Sequence, residues 1–241
     1  MKWALVIGAS GDIGSDVVQD LAQRGWSLYL HYNKNSKRIA DLIAQLRQRY
    51  SSQDFLGIQA DLLKENSAEK VKEQLFCLDA LIFAEGTTSY GLFREMPSAQ
   101  LHEMLQMQIV TPFRLIQLLE DKLAQNHFGR IIFIGSVYGG AGSAMEVGYS
   151  TVKGALTAFA AAYSKEVASL GVTVNVIAPG AVATQMNKLF TVEEKNEIDD
   201  KIPLGRFAST SEISYWVCAM LKERASYMTG QTIYVTGGWL K

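Results

Sequence analysis

Short apolar runs recur along the chain, separated by stretches in which apolar residues return every three or four positions. The runs at 4–7, 27–31, 55–60, 80–83, 131–134, 172–177 and 232–235 predict seven β-strands. Several are nearly continuous in Val, Ile and Leu, as strands buried on both faces read. The amphipathic stretches at 12–24, 38–49 and 145–169 predict helices. Strand–helix alternation of this kind predicts an α/β fold, a doubly wound seven-stranded parallel sheet with helices on both faces. No repeat, low-complexity stretch or linker interrupts it, so residues 1–241 are read as one domain.

Composition narrows the class. The 241 residues, 48% hydrophobic, suffice for one sizeable core. With 23 basic against 24 acidic residues there is no basic excess of the kind nucleic acid demands. Cys77 and Cys218 lack metal-ligand spacing and read as two small buried residues. His31, His102 and His127 are scattered, so no metal is expected. The run Trp3-Ala4-Leu5-Val6-Ile7 is too short for a secretory signal and reads as the first strand. No run approaches the ~18 apolar residues of a membrane span. The expectation is a cytoplasmic chain with neither membrane nor nucleic acid as partner.

The loop Gly8-Ala9-Ser10-Gly11-Asp12-Ile13-Gly14 lies between the first strand and the first helix, the context of a Rossmann dinucleotide fingerprint. Glycines let the backbone approach a pyrophosphate, and the helix N-terminus offers N–H groups and a positive dipole end. Asp12 brings a carboxylate close to that anion; it is read as capping the helix, its charge turned away. NAD usually requires an acidic residue after the second strand for the ribose 2′-hydroxyl. Here the segment reads His31-Tyr32-Asn33-Lys34-Asn35-Ser36-Lys37-Arg38, with three cations and no carboxylate. Cations at a helix N-terminus oppose its dipole unless an anion such as a 2′-phosphate is present. The expected cofactor is therefore NADPH ahead of NADH, with a solvated basic turn as the plain alternative.

Ser136 follows the fifth strand, at the end where open α/β sheets bind ligands. Tyr149 and Lys153 are four residues apart at the start of a long helix and share a face. An ammonium beside a phenol lowers the phenol pKa, and such a Tyr can donate a proton to a carbonyl oxygen. Ser136 can hydrogen-bond the same oxygen. The Tyr-x-x-x-Lys spacing alone is weak, since a half-buried Tyr and a snorkelling Lys would produce it. Together with Ser136 and the glycine loop it is specific.

With these motifs in this order, essentially the whole chain resembles the short-chain dehydrogenases/reductases. The resemblance implies catalytic roles for Ser136, Tyr149 and Lys153, with Lys153 also holding the nicotinamide ribose. It implies cofactor contacts at Gly8, Ser10, Gly11, Asp12, Ile13, Gly14, Asn33, Lys34, Asp61, Leu62, Ala84, Gly86, Pro179, Gly180, Val182 and Thr184, besides Tyr149 and Lys153. The ending Thr229-Gly230-Gln231 to Gly237-Gly238 resembles a strand that commonly lies at a tetramer interface, so a homotetramer or homodimer is expected.

Three departures stand out. The family's usual Gly-x-x-x-Gly-x-Gly is Gly-x-x-Gly-x-x-Gly here. The usual Asn-Ala-Gly after the fourth strand reads Ala84-Glu85-Gly86. The fourth catalytic residue, an Asn, is replaced by Gln108, which puts the family's proton-relay water in question.

Broadly, the chain resembles 3-oxoacyl-[acyl-carrier-protein] reductases of fatty-acid biosynthesis. More narrowly, it is similar to a subgroup that reduces a 5-aminopentanone on a lysine of elongation factor P. The substrate is thus expected to be a ketone, small or tethered to a carrier or protein. The segment at 181–202 is expected to form a lid that closes over it. It carries Met186, Leu189 and Phe190, and Glu193, Glu194, Glu197, Asp199 and Asp200 against Lys188 and Lys195. With Glu85 and Glu146, these carboxylates suit a cationic amine substrate, or else form a solvated helix face. A nucleotide-binding regulator without turnover is the alternative from another class.

Overall fold

The computed structural model describes residues 2–185 and 191–240; within these the side chain of Val192 is left aside. Seven strands form one sheet: β1 Trp3–Ile7, β2 Ser27–Tyr32, β3 Phe55–Gln59, β4 Ala80–Phe83, β5 Gly129–Ile134, β6 Val172–Pro179 and β7 Thr232–Val235. Every pairing is parallel and the spatial order is β3-β2-β1-β4-β5-β6-β7. The predicted strands all form. The fourth and seventh have the expected bounds, the sixth runs on to Pro179, and the third ends one residue early.

The helices are α1 Asp12–Gln23, α2 Ser36–Arg49, α3 Ser67–Glu73, α4 Ser98–Leu105, α5 Thr111–Ala124, α6 Tyr138–Ala141, α7 Val147–Val167, α8 Val192–Asp199 and α9 Thr210–Met220. A π-helical turn, Gln106–Val110, joins α4 to α5. The central strands β1, β4, β5 and β6 are buried along their whole length. Their alternate side chains therefore feed two apolar layers. On one face Leu5, Leu81, Phe133 and Val174 pack with Leu115, Leu119, Leu156 and Ala160. On the other, Val6, Ile82 and Ile132 pack with Val17, Leu21, Ile213 and Val217. Edge strand β3 buries Phe55 and Ile58 and leaves Leu56 exposed.

In this strand order the chain reverses direction between β1 and β4. Ligands of open α/β sheets bind outside the carboxyl ends of the strands at such a switch point. The loops after β1, β2, β3, β4, β5 and β6 carry the predicted site residues except Asp12, Ile13 and Gly14 in the first turn of α1, Pro179 at the end of β6, and Gln108, Tyr149 and Lys153, which the π-helical turn and α7 supply. Cys218 is buried and Cys77 partly so, and both are free thiols.

Candidate active site

After β1, Gly8 has a φ of 77°, in the left-handed region that glycine enters without strain. A Cβ there would lie 2.7 Å from the Glu85 nitrogen, so the first loop packs directly on the end of β4. A Cβ on Gly14 would lie 2.3 Å from the Gly8 oxygen. Gly11 donates its N–H to that same oxygen at 2.9 Å. Gly11 is the N-cap of α1 and makes no side-chain cap, so the first turn keeps N–H groups open towards the loop.

The expectation that Asp12 caps α1 is corrected. Its carboxylate accepts from the Gln185 N–H at 2.7 Å and from Arg38 at 3.2 Å. Asp12 is the first residue of the helix rather than its cap, and its side chain reaches outward to those partners. The same placement explains how a carboxylate is accommodated where the family's usual spacing puts a glycine. It also engages one of the three cations. Among the described residues, Lys34 and Lys37 have no ion pair. A cavity of about 540 Å³ opens here, lined by Asp12, Ser15, Arg38, Thr184, Gln185 and Lys195 among others. The residues Ser136, Tyr149 and Lys153 are not part of its lining.

The ends of β2 and β3 are tied together. Asn33 donates to the Asp61 carboxylate at 3.4 Å, which also accepts the Leu63 N–H at 3.1 Å. His31 is a positioning residue that the sequence reading passed over. It is 2% exposed; Gly8 donates its N–H to Nδ1 at 3.2 Å, and Nε2 lies 3.1 Å from the Ala60 carbonyl oxygen. This pattern fixes the neutral ring with the proton on Nε2. Burial lowers its pKa to about 4, so it stays neutral around pH 7 and links the loops after β1 and β3. A lone polar residue inside an apolar strand was the available signal.

The other half of the site is built on β4, β5, β6 and α7. The Ser136 hydroxyl acts on the Tyr149 hydroxyl and lowers its pKa. The Ser136 Oγ also accepts the Tyr138 N–H at 3.2 Å, which fixes its direction. Lys153, one turn after Tyr149, is buried; its Nζ donates to the Ile134 carbonyl at 2.9 Å and lies 5.7 Å from the Tyr149 ring centre. At the end of β6, Pro179 accepts the Val137 N–H at 2.8 Å, and beyond it Val182 bridges Ala208. Thr184 donates its N–H back to Val182 at 2.8 Å.

One electrostatic expectation fails. Burial pushes the Tyr149 hydroxyl up to about 12, assisted by Glu146 and Tyr138 and opposed by Ser136. Lys153 is not among the groups that lower it; its ammonium donates to the Ile134 carbonyl. Burial lowers Lys153 to about 8, against the attraction of Glu85. A phenol of this kind is fully protonated at neutral pH, the state a proton donor needs.

Gln108 reaches the site from the π-helical turn, an irregularity that recurs at functional sites. It is 1% exposed, and its Nε2 donates to the Thr87 carbonyl at 3.2 Å. Its Oε1 is buried without a partner. A Cβ on Gly86 would lie 3.2 Å from this oxygen and 3.5 Å from Lys153 Nζ. Gln108 and Lys153 thus border the same point beside Gly86.

The lid falls partly outside the described residues: Met186, Lys188, Leu189 and Phe190 lie there. On α8, Glu193, Glu194 and Glu197 are exposed, as is Asp200 after it, and Glu194 completes a capping box with Thr191. These charges form a solvated face. Glu146 differs: it accepts from the Thr88 hydroxyl at 2.8 Å and acts electrostatically on both Tyr149 and Tyr138.

A parallel seven-stranded sheet with a glycine loop at its switch point and a Ser–Tyr–Lys set nearby defines a nucleotide-binding α/β protein of the Rossmann class. The chain belongs to the short-chain dehydrogenase/reductase family: the family model described as short chain dehydrogenase matches residues 2–195. It is 39% identical to the uncharacterized oxidoreductase YmfI of Bacillus subtilis over 99% of this chain and 98% of the relative. It is 33% identical to the 3-oxoacyl-[acyl-carrier-protein] reductase FabG of Aquifex aeolicus, over 98% of this chain and 96% of the relative. The fold matches a short-chain dehydrogenase/reductase from Serratia marcescens with a TM-score of 0.92 and 25% identity, covering 100% of this chain and 98% of that one. A blue fluorescent protein from a metagenomic library, solved in complex with NADPH, matches with a TM-score of 0.91 and 26% identity, covering 99% and 97%. The chain is accordingly an oxidoreductase that uses a nicotinamide cofactor.

Proposed function

We propose that the chain is an NADPH-dependent carbonyl reductase in which Tyr149 protonates the ketone oxygen. The observation that carries this is the grouping of Ser136, Tyr149 and buried Lys153 at the ends of β5 and α7, with Lys153 Nζ 5.7 Å from the Tyr149 ring centre. The cradle at Gly8, Gly11 and Gly14, whose backbone a Cβ would obstruct, fits a pyrophosphate with Ser10, Asp12 and Ile13 beside it. Asn33 and Lys34 would hold the adenosine ribose, and Asp61 and Leu62 the adenine. Ala84 and Gly86, then Pro179, Gly180, Val182 and Thr184, would hold the nicotinamide half. When bound, the cofactor supplies hydride to the carbonyl carbon. Ser136 holds the oxygen, Tyr149 delivers the proton and Lys153 carries positive charge beneath them.

The cofactor reading rests on Lys34 and Lys37, cations without an ion pair among the described residues. Replacing both by serine should weaken NADPH binding about tenfold or more and leave NADH binding unchanged. A charge-assisted hydrogen bond contributes about 1.5–3 kcal/mol, and only NADPH has the 2′-phosphate. Nicotinamide fluorescence titrations with both nucleotides check it. Equal losses for the two would remove the argument for NADPH.

Two ketones remain in view. A 3-oxoacyl thioester on a carrier protein is the substrate named for the FabG relatives. An aminoketone, such as the 5-aminopentanone of elongation factor P, is favoured by Glu146, whose carboxylate acts on Tyr149 and Tyr138 and can face a substrate ammonium. Glu146→Gln should cut selectivity for a small aminoketone over a neutral ketone about fivefold, the scale of one partly exposed ion pair of about 1 kcal/mol. Unchanged selectivity in paired kcat/KM measurements would rule the cationic substrate out and leave the thioester.

A cytoplasmic address and self-association complete the reading. Among the described residues no helix is long and apolar enough to cross a membrane. Edge strand β7 is half-buried along its length, and Tyr215, Trp216 and Tyr227 are exposed nearby in the sequence, which suits contact with a second copy.

A further inference from the structure

A second cavity, of about 280 Å³, lies where β5 and β6 begin, at the opposite end of the sheet from the glycine loop. The parallel register pairs Arg130 with Thr173, so both side chains stand on one face of the sheet, and both residues line the cavity. Arg130 is 2% exposed and Thr173 5%. Arg130 Nη1 donates to the carbonyls of Gly129 at 2.9 Å and Gly171 at 3.5 Å. Its Nε is buried with no hydrogen-bond partner, and Nη2 makes no hydrogen bond among the described residues. Nε and Nη2 form the side-on edge of a guanidinium, the fork that a carboxylate or phosphate accepts from with two oxygens. Thr173 Oγ1 is likewise buried without a partner. Ser226 and Thr229 add hydroxyls to the lining. Thr229 Oγ1 accepts the Val174 N–H at 3.0 Å, which leaves its own proton to donate.

The charges favour an anion. The Arg130 guanidinium stacks 4.0 Å from the Phe128 ring centre, and Lys2 Nζ lies 3.4 Å from the same centre. The one carboxylate in the lining, Glu223, pairs with Lys2 at 3.1 Å. It acts on Arg130 electrostatically, but Arg130 has no ion pair among the described residues. Two cations thus share one carboxylate, and the more buried of the two lacks a counter-ion. Buried charges are ordinarily paired, because desolvation without a partner is costly.

We propose that this cavity binds a small oxyanion, a carboxylate or phosphate group, on the side-on edge of Arg130, with the Ser226 and Thr229 hydroxyls as further donors. The lining offers donors without matching acceptors, so it suits a group that only accepts. Its volume falls below the roughly 300–1,000 Å³ of sites for drug-sized ligands, so the occupant is a small molecule or the acidic end of a larger one. The site stands apart from the nucleotide, which takes the carboxyl ends of the strands. Anion and nucleotide therefore bind together rather than in competition.

Isothermal titration of the full chain with inorganic phosphate, and separately with succinate, tests the site. Chloride holds the ionic strength constant, and saturating NADP⁺ keeps phosphate out of the glycine loop. At least one of the two anions should fill one saturable site per chain, and which one does identifies the acidic group. Arg130→Met should weaken that binding at least about tenfold, the effect of losing a charge-assisted, two-pronged contact. Because this change also removes the bonds to Gly129 and Gly171, two exposed positions carry the test independently of folding. Ser226→Ala should weaken binding about threefold, the scale of one neutral hydrogen bond. Glu223→Gln should strengthen it about threefold, since a like charge leaves the rim and Lys2 is freed. None of the three should change NADPH affinity. No saturable binding of either anion overturns the proposal and leaves the cavity to water. Binding that ignores both Arg130→Met and Glu223→Gln places the anion elsewhere and overturns it too, as does binding that Glu223→Gln weakens.

Discussion

Tyr149→Phe is expected to lower kcat for ketone reduction by about 10²–10⁴, the range that a positioned proton donor contributes. The substitution removes one oxygen and keeps the ring, so packing at the start of α7 is preserved. Ser136 retains its hydrogen bond from the Tyr138 N–H at 3.2 Å and stays directed at the site. NADPH affinity should change by no more than about fivefold, since a single hydrogen bond contributes about 1 kcal/mol net. Stopped-flow oxidation of NADPH, with a parallel fluorescence titration, separates the two effects. Retained turnover would mean that another group protonates the ketone. Loss of binding without a chemical defect would make Tyr149 a cofactor ligand only. A nucleotide-binding regulator would show no turnover in the wild type either, so the contrast between the two proteins also tests that reading.

The pH behaviour follows from the same geometry. Because burial raises Tyr149 to about 12, its proton is in place throughout the neutral range. Lys153, lowered by burial to about 8, is the group expected to govern an alkaline loss of activity near pH 8, not the donor itself.

Much of this site could be read in the sequence because its parts are local. Tyr149 and Lys153 are four positions apart, and the loop from Gly8 to Gly14 lies between a continuous apolar strand and an amphipathic helix. Such patterns survive without tertiary knowledge. The strands were legible for a related reason: β1, β4, β5 and β6 are covered on both faces and so are mostly apolar, with Arg130, Thr173 and Asn175 the polar exceptions. What escaped depends on contacts between distant segments. Asp12 has the residue type of a cap, yet its partners Arg38 and Gln185 come from 26 and 173 residues away. His31 joins Gly8 to Ala60, across 23 and 29 residues. The Tyr149 pKa could not be read from spacing, because burial of its hydroxyl, which only the tertiary fold sets, is what raises it. Gln108 was legible as a substitution, but not its π-helical setting, which brings its Oε1 to the point it shares with Lys153.

Gly14→Ala should weaken nucleotide binding at least tenfold while leaving the fold intact. The added Cβ would lie 2.3 Å from the Gly8 oxygen and 2.9 Å from the Gly8 carbonyl carbon. Both are backbone atoms, so relief requires the loop itself to move. Gly8 cannot yield freely, since a Cβ's breadth away it packs on the backbone of Ala84 and Glu85. Displacement therefore spreads to the N–H groups that should face the pyrophosphate. Stability should change less than binding. Overpacking costs about 1–3 kcal/mol, offset by about 1 kcal/mol from replacing glycine by alanine in a helix. Gly11→Ala is the internal control. Its Cβ would stand 3.2 Å from the Gly8 oxygen, and its φ of −77° suits alanine, so a smaller loss is expected. Fluorescence titration and thermal melts of both variants distinguish the cases. Equal affinities for Gly14→Ala and wild type would show that the loop does not hold the cofactor through its backbone; equal losses for the two variants would show that the contact at Gly8 is not what sets the loop's shape.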